Sequence, residues 1–250
     1  MNYRIAIPTY CRPEDIKNKT LSLLEKHNIS FNIIDIFVEN QEQYNLYADV
    51  IDEIKIIITD TQGIGAKRNF IRRYYRNFMK HKYVLMIDDD VEDICDVDGQ
   101  LNDLNHFIKC GFRACEDRGL NLWGISNHGN TYFMKSGVST NLKIIAGAWQ
   151  GIIIDNKKEI LQTYFDHFED IDFTLKHFHR DGGVLRYNGI YLKTKYLCDG
   201  GINMSYGGKT ERMMAAEMDQ LKIDWPGAVK ITRNKHGINA QLNWRYILNK

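Results

Sequence analysis

The apolar residues of the first ninety positions follow two alternating patterns. Short runs of strand character occupy 3–7, 31–38, 55–59 and 83–87. Segments with apolar residues near the helical period occupy 14–27, 42–51 and 66–80. Strands that alternate with helices in this way predict a mostly parallel, Rossmann-like sheet with right-handed crossovers and flanking helices. The pattern therefore predicts an α/β fold.

The second half of the chain has a less regular pattern. Helices are predicted over 101–117, 157–163 and 173–179, and strands over 122–126, 144–146, 151–154 and 189–195. No proline-rich linker separates the halves, because the three prolines lie at 8, 13 and 226. We therefore expect a single domain.

The composition is that of an ordinary soluble protein, with 250 residues, 44% hydrophobic and 26% charged. No signal peptide and no apolar run of membrane-spanning length is visible, so the chain is expected to be cytoplasmic, in the host cytoplasm if viral. The five cysteines form no CxxC pair, which favours reduced thiols over a structural zinc site.

Charge is distributed unevenly although the net charge is only +1. Residues 61–87 and 225–250 contain basic side chains and no acid, whereas residues 88–98 contain acids and no base. A positive helix face of this kind either meets a polyanion or is simply solvated surface. The sequence leaves both alternatives open.

Three acids, Asp88-Asp89-Asp90, directly follow the apolar run Tyr83–Ile87. A buried strand that ends in acids presents them at the carboxyl edge of the sheet, where open α/β folds bind ligands. Carboxylates spaced as Asp88-x-Asp90 hold a divalent cation from one side and leave coordination positions for water and diphosphate oxygens. The alternative is a solvated turn.

Four further segments combine with these acids. They are Pro8-Thr9-Tyr10-x-Arg12, Glu39-Asn40, Gln62-Gly63-Ile64-Gly65-Ala66-Lys67-Arg68-Asn69 and Phe168-Glu169-Asp170-Ile171-Asp172. Their order and spacing resemble the GT-A glycosyltransferases, particularly inverting family 2, over 3–90 and more weakly over 147–176. The resemblance implies a GT-A fold in which 1–98 binds a nucleotide-sugar and 99–250 forms the acceptor side.

The resemblance also implies roles on the donor side. Glu39 would accept a hydrogen bond from the uracil N–H, and this charge-assisted bond would discriminate against cytosine. The alternative interpretation is that Glu39 is a solvated residue at the end of a strand. Gly63 and Gly65 would let the backbone approach the nucleotide. The alternative is that they mark an ordinary helix N-terminus. The implied nucleotide-binding residues are Pro8, Thr9, Arg12, Glu39, Gly63, Gly65, Arg68, Asp88, Asp89 and Lys235.

A Mn²⁺ or Mg²⁺ ion is implied as well, with a UDP-sugar as donor. Asp90 and Asp88 would bind the metal, and His236 is the candidate third ligand, although a lone histidine is more often structural. Lys235 and Arg233 would instead neutralise the diphosphate.

The pair Glu169-Asp170 resembles the acids that supply the catalytic base in inverting relatives. A hydroxyl nucleophile has a high pKa, so its attack is helped by a carboxylate that accepts the proton. Asp170 is favoured as the base, and Asp172 is the alternative. Glu169 belongs to the same acidic pair as Asp170. The alternative is a pair of acids at the start of a helix.

Within this group the chain looks closest to phage glycosyltransferases that modify hydroxymethylated pyrimidines in DNA, including the TET-associated enzymes. The supporting residues are the glycine segment, Ile87-Asp88-Asp89-Asp90 and Ala148-Trp149-Gln150-Gly151. The acceptor implied is 5-hydroxymethylcytosine, bare or glycosylated, in double-stranded DNA. Candidate stacking aromatics are Trp149, Tyr187, Tyr206 and Trp244.

Two rival functions remain open at this point. One is a bacterial transferase that builds a surface polysaccharide, and the other is a non-catalytic nucleic-acid-binding module. The transferred sugar and the stereochemical outcome also stay open. We expect no membrane association and no stable protein partner.

Overall fold

The computed structural model describes residues 1–99, 101–194, 211–234, 237–243 and 245–246. Its centre is a sheet of nine strands within these ranges. The strands are β1 Tyr3–Pro8, β2 Ile34–Val38, β3 Lys55–Ile58, β4 Tyr83–Ile87, β5 Val91–Asp96, β6 Leu122–Ser126, β7 Val138–Ser139, β8 Trp149–Ile153 and β9 Leu185–Thr194. A separate hairpin joins β10 Val229–Asn234 to β11 Gly237–Leu242.

The strand order is β3-β2-β1-β4-β8-β6-β9-β5, and the ninth strand, β7, pairs with β9 outside this path. The first four strands of the chain pair in parallel, which confirms the predicted α/β fold. Strand β8 is antiparallel to both β4 and β6, and β6 is parallel to β9. Strands β4, β6 and β9 therefore run in the same direction and end at the same edge of the sheet.

Helices cover both faces of this sheet. The first helical region contains α1 Pro13–Ile16, a π-helical turn Lys17–Leu21 and α2 Ser22–Lys26. The others are α3 Gln41–Ala48, α4 Ile64–Tyr74 with a π-helical turn Tyr75–Met79, α5 Leu104–Glu116, α6 Glu169–Asp181 and α7 Glu211–Asp224.

Two apolar clusters lie between the sheet and these helices. One packs Leu24 and Phe112, from α2 and α5, against Trp123 of β6. The other packs Ile71 of α4 and Phe173 of α6 against the opposite face. Burial of each such side chain contributes about 1.5–3 kcal/mol, so the helices are fixed mainly by their apolar faces.

The structure differs from the sequence-based expectation in several segments. Residues 144–146 and 157–163 form neither the predicted strand nor the predicted helix, and 31–33 form a 3₁₀ turn instead of extending β2. The backbone N–H of Ile145 is bonded to the Thr174 hydroxyl instead of a neighbouring strand. Strand β5 was not predicted, because its register shifts between Val91 and Asp93 and its buried Val91 and Ile94 lie three positions apart, which breaks the two-residue alternation of a strand.

A buried ion pair lies far from the acid cluster and provides a stability test. Asp35 of β2 is fully buried and accepts hydrogen bonds from Arg4 (3.1 Å) and from the Tyr75 hydroxyl (2.6 Å). We expect Asp35→Ala to lower the free energy of unfolding by about 3–5 kcal/mol, because it leaves the Arg4 charge without its partner. Urea denaturation measures this loss.

The exposed Lys82–Glu116 pair is the control. Glu116→Gln should cost less than about 1 kcal/mol, as solvent-exposed pairs usually do. An equal loss of unfolding free energy in the Asp35 and Glu116 variants would contradict the structural role assigned to Asp35.

Candidate functional site

The loops that follow β1, β2 and β4 meet at one edge of the sheet. The Thr9 hydroxyl lies 2.5 Å from Asp89 Oδ2 and 2.5 Å from the Tyr47 hydroxyl. Arg12 Nη1 lies 3.3 Å from a carboxylate oxygen of Asp89 and 3.3 Å from one of Asp90. The sequence-predicted Thr9, Arg12 and acid cluster are thus brought together. Pro8 is the buried last residue of β1.

Lys67 is a member of this site to which the sequence assigned no role, although it belongs to the glycine segment. Its side chain is buried, and the ammonium donates a 2.7 Å hydrogen bond to the Thr9 carbonyl. Burial lowers the pKa of Lys67 to about 8, although Glu39 and Asp89 act in the opposite direction. Its position directly before Arg68 in the glycine segment was the only signal.

Glu39 follows β2 beside this lysine. Burial raises the pKa of the Glu39 carboxyl, and Lys67 partly offsets the shift. Its Oε2 atom is buried and has no hydrogen-bond partner among the described residues. A buried carboxylate oxygen in this condition has an unused capacity to accept a hydrogen bond from a ligand.

The glycine segment forms the N-terminus of α4. Gly63 has φ of 86°, a left-handed conformation that glycine adopts without strain. The Gly65 N–H donates to Asp166 Oδ1 at 2.8 Å, and a Cβ at Gly65 would lie 2.1 Å from the Phe165 carbonyl oxygen. The close approach at Gly65 is therefore to residues 165–166 of its own chain.

Arg68 connects the two groups of acids. Its guanidinium donates a 2.6 Å hydrogen bond to Asp88 and contacts Glu169 through its other terminal nitrogen. Gly147 makes room for this arrangement, since a Cβ there would lie 1.9 Å from Arg68 Nη1 and 2.6 Å from Glu169 Oε1. Arg68 therefore pairs with protein acids from both halves of the chain.

The three acids at the start of α6 have different surroundings. Glu169 Oε2 is buried without a partner among the described residues. Asp170 accepts a 2.8 Å hydrogen bond from the Ile171 N–H, and burial raises the pKa of its carboxyl. Asp172 is instead bonded to Trp225 (2.8 Å) and to Lys176 (2.7 Å), away from Arg68.

The acids after β4 crowd one another. Burial, followed by the neighbouring Asp88 and Asp89, raises the pKa of Asp90 to about 7. Burial also raises the pKa of Asp89, and it raises that of Glu169 to about 7 although Arg68 lies against it. Asp88 and Asp90 retain side-chain exposures of 32% and 19%, so both can be reached from solution.

Within the described ranges, no three His, Cys, Asp or Glu side chains are arranged to hold a metal ion. Asp88 and Asp90 offer two accessible hard oxygen donors in a crowded acidic setting, which fits one-sided binding of Mg²⁺ or Mn²⁺. The predicted His236 and Lys235 lie outside the described residues, as do Tyr206 and Trp244.

The basic residues of the α4 region, from 67 to 76, form neither a solvated surface nor a free positive face. Lys67, Arg68 and Arg72 are 2–3% exposed, and the Arg72 guanidinium stacks 3.7 Å from the centre of the Phe173 ring. Arg73 and Arg76 bond to Gln162 and to the Asn156 carbonyl. These pairings were not visible in the sequence. The partners of Arg73 and Arg76 lie 89 and 80 residues further along the chain, and the partner of Lys67 lies 58 residues before it.

Of the two described candidates for aromatic stacking, Trp149 belongs to the core, and the partly buried Tyr187 packs against it. Trp149 is 1% exposed and packs against Trp123 and Phe107, and half-buried Tyr187 contacts the same two rings. A cavity of about 470 Å³ lies between α5, the end of β5 and β9. Tyr187 lines this cavity, whereas none of the predicted nucleotide-binding, metal-binding or catalytic residues does. In the described part of the chain, no helix is long and apolar enough to cross a bilayer.

Comparison with known proteins identifies similar folds only. No family model matches the chain, and no curated protein matches it. The crystal structure of S. aureus TarS 1–349 has a TM-score of 0.45 and 15% identity, over 75% of this chain and 58% of that one.

Two other structures are similar at the same level. A197 from STIV has a TM-score of 0.44 and 11% identity, over 79% of this chain and 87% of that one. The mannosyltransferase PcManGT from Pyrobaculum calidifontis, in complex with GDP-Man and Mn²⁺, has a TM-score of 0.39 and 12% identity, over 60% of this chain and 44% of that one. At these scores the likeness assigns no activity.

The raised pKa of Asp90 predicts a pH-dependent stability. The carboxyl of Asp90 keeps its proton up to about pH 7 in the native state, whereas in the unfolded chain it loses the proton near its ordinary pKa of 3.8. Stability should therefore fall as pH rises through this window, since the native state binds more protons than the unfolded state. Mn²⁺ binds the ionised carboxylates, so it should raise the melting temperature more at about pH 8 than at about pH 5.

Thermal melts at the two pH values, with and without Mn²⁺, measure this effect. Asp90→Asn should flatten the pH dependence and reduce the stabilisation by Mn²⁺. An equal response to Mn²⁺ in the parent and the variant would exclude Asp90 as a ligand.

Proposed function

We propose that this protein is a glycosyltransferase that moves a sugar from a UDP-sugar to a hydroxyl acceptor. The observation that carries the proposal is the meeting, through Arg68, of the acids after β4 with the acids that begin α6. Sugar transfer needs both chemistries at one place: stabilisation of a departing diphosphate and removal of a proton from the acceptor.

The donor nucleotide would lie across the ends of β1 and β2. Glu39 Oε2, buried and without a partner in the described residues, would accept the uracil N–H. Lys67 and Arg12 add positive charge beside this position, since Lys67 lies against the Thr9 carbonyl and Arg12 against Asp89 and Asp90. The predicted roles of Pro8 and Gly63 in shaping the nucleotide site belong to the same proposal.

Asp88 and Asp90 would hold a Mn²⁺ or Mg²⁺ ion, with His236 as the third ligand proposed from the sequence. When bound, the ion supplies positive charge that stabilises the leaving diphosphate. The protein's own contribution is the fixed position of the two carboxylates, since Arg68 holds Asp88 and Arg12 holds Asp90.

Asp170 is the proposed general base. Its carboxyl lies one residue from Glu169, which Arg68 contacts, and its raised pKa makes it a better proton acceptor than an ordinary aspartate. Asp172 is less suited to this role, because both of its oxygens are bonded to other side chains. Glu169 would keep Arg68 in place.

The acceptor proposed from the sequence resemblance is 5-hydroxymethylcytosine in double-stranded DNA. Its hydroxymethyl group provides the nucleophile that unmodified cytosine lacks. The basic residues of α4 do not contribute a DNA-binding face, so phosphate contacts would have to come from other parts of the chain. A polysaccharide acceptor is the main competing proposal, and a nucleic-acid-binding module without activity is the other.

Donor recognition is tested by the affinities for UDP, CDP and GDP. We expect UDP to bind more tightly than CDP, because the uracil N–H is a donor where cytosine has an acceptor. Glu39→Ala should narrow this difference by about 1.5–3 kcal/mol, the contribution of a hydrogen bond to a charged group. Isothermal titration calorimetry measures the dissociation constants for UDP, CDP and GDP. Glu42→Ala on α3 is a matched control.

Equal affinities of the parent protein for UDP and CDP would reject uracil recognition. If Glu42→Ala reduced the difference as much as Glu39→Ala, the effect would come from net charge alone.

The acceptor is tested by UDP release with Mn²⁺ present. The acceptors are hydroxymethylcytosine DNA, unmodified DNA of the same sequence, and oligosaccharides. We expect transfer to the hydroxymethylated DNA only, and a loss in kcat of about 10²–10⁴-fold in Asp170→Asn, as is typical when a general base is removed. Asp172→Asn is the control, because it changes the nearby acid that is less suited to act as the base.

Transfer to oligosaccharides with none to modified DNA would replace the DNA proposal by the polysaccharide one. A greater loss of kcat in Asp172→Asn than in Asp170→Asn would reassign the base. If UDP binds and no acceptor yields product, the result supports the alternative of a nucleic-acid-binding module without activity.

A further inference from the structure

Two partly buried basic side chains, Lys143 and Arg186, share one hydrogen-bond acceptor. Lys143 Nζ and Arg186 Nε donate to the amide oxygen Oδ1 of Asn188 at 3.2 Å and 3.0 Å. The Ser139 hydroxyl donates to the same oxygen at 3.2 Å. An amide oxygen has two lone pairs, so three donors exceed what this acceptor can satisfy. The group therefore has donor capacity left for a ligand.

No carboxylate of the described residues forms an ion pair with Lys143 or Arg186. Burial lowers the pKa of Lys143, and the charge of Arg186 lowers it further. Burial also lowers the pKa of Arg186, and no acid in the described ranges acts in the opposite direction. Arg12 and Arg68 differ in this respect, because each is paired with an acid. Two desolvated cations that share only a neutral acceptor are stabilised by an anion from outside.

Arg186 keeps part of its planar set of donors for such an anion. Its Nη1 makes a long contact of 3.5 Å with Oδ1 of the exposed Asn127. Its Nη2 has no hydrogen bond to any residue that the structure describes. A guanidinium donates to two oxygens of a phosphate at once, and a neighbouring ammonium adds a compact positive charge. The Lys143–Arg186 pair therefore matches a phosphate group.

Direct contacts connect this pair to the acids that begin α6. Arg186 lies opposite Gly124 of β6, and a Cβ at Gly124 would lie 2.6 Å from Ile145 Cγ2. Two residues after Ile145, the backbone N–H of Gly147 donates a hydrogen bond to the Asp170 carboxylate. The pair therefore belongs to the same side of the sheet as the proposed general base.

The distance between the pair and the base suits a strand of nucleic acid. Lys143 precedes Gly147 by four residues, so their Cα atoms are at most about 14 Å apart. Each strand of a duplex carries one phosphate for about 3.4 Å of helix axis. A nucleotide whose hydroxyl lies at Asp170 therefore has phosphates of its own strand within reach of the pair.

We propose that Lys143 and Arg186 bind a backbone phosphate of a nucleic-acid acceptor. This inference rests on the proposed function and supplies the phosphate contact that the basic residues of α4 do not provide. It also selects between the acceptors, because a neutral oligosaccharide has no anion to offer the pair.

The test measures duplex DNA binding without donor, by fluorescence anisotropy at several salt concentrations. The probes are a labelled duplex with one 5-hydroxymethylcytosine and the same duplex with cytosine. Lys143→Gln/Arg186→Gln should weaken binding at least about tenfold, because hydrogen bonds to a charged group are lost. The slope of log affinity against log salt should become shallower by about 0.9, the contribution of one phosphate. Both duplexes should lose equally, since phosphate contacts carry no sequence information.

Arg73→Gln/Arg76→Gln is the matched control. It also removes two positive charges, but these side chains are bonded to Gln162 and to the Asn156 carbonyl. The salt slope of this control should equal that of the parent. An equal loss of affinity and slope in the control would assign the effect to net charge and overturn the proposal.

Asn188→Asp tests the pair without removing it. The variant has nearly the same shape and gives both cations a carboxylate partner, at the loss of a 3.4 Å hydrogen bond to the Gly137 carbonyl. Its melting temperature should rise while its affinity for both duplexes falls, because the carboxylate takes the place of the phosphate. Higher stability with unchanged DNA affinity would show that the pair is structural only. This variant decides the matter if the double variant does not fold.

Unchanged affinity in the folded double variant overturns the proposal. So does a parent that binds neither duplex, or a loss confined to the hydroxymethylated duplex, which would place the pair at the base instead of the backbone. Failure to bind UDP or to transfer sugar bears on the proposed function alone, because DNA binding is measured without donor.

Discussion

The buried guanidinium of Arg68 is the interaction on which the arrangement of the site depends. Close anionic partners offset the cost of burying a cation, and Arg68 has one on each side. Asp88 belongs to the end of the parallel half of the sheet, and Glu169 begins a helix on the other side of the chain's midpoint. Their separation is therefore fixed by one rigid, planar group.

The site also contains polar atoms whose hydrogen-bonding capacity is not used. Glu39 Oε2, Glu169 Oε2 and Arg68 Nε are buried and have no partner in the described part of the protein. Each such atom costs free energy in the folded state, which a ligand with a complementary group recovers on binding. Together with carboxyl groups whose pKa is raised by burial, these atoms distinguish this edge of the sheet from an ordinary solvated turn.

The parts of the fold that sequence reasoning predicted are those governed by short-range patterns. The alternation of strands and helices up to Ile87 placed Thr9, Glu39 and Asp88 at one edge, because the ends of parallel strands must meet there. Pairings between distant residues were not visible in the sequence. Arg68 and Glu169 are 101 positions apart, and burial of a basic side chain cannot be inferred from its neighbours in the sequence.

Gly147 has a consequence for how this protein can change over evolutionary time. Any side chain at this position would occupy the space taken by the Arg68 guanidinium. The two positions should therefore vary together among descendants, with glycine retained wherever arginine is retained. A lineage that acquires alanine at 147 would have to give up the bridge between the two halves first, and with it the selective pressure that keeps the acids on either side.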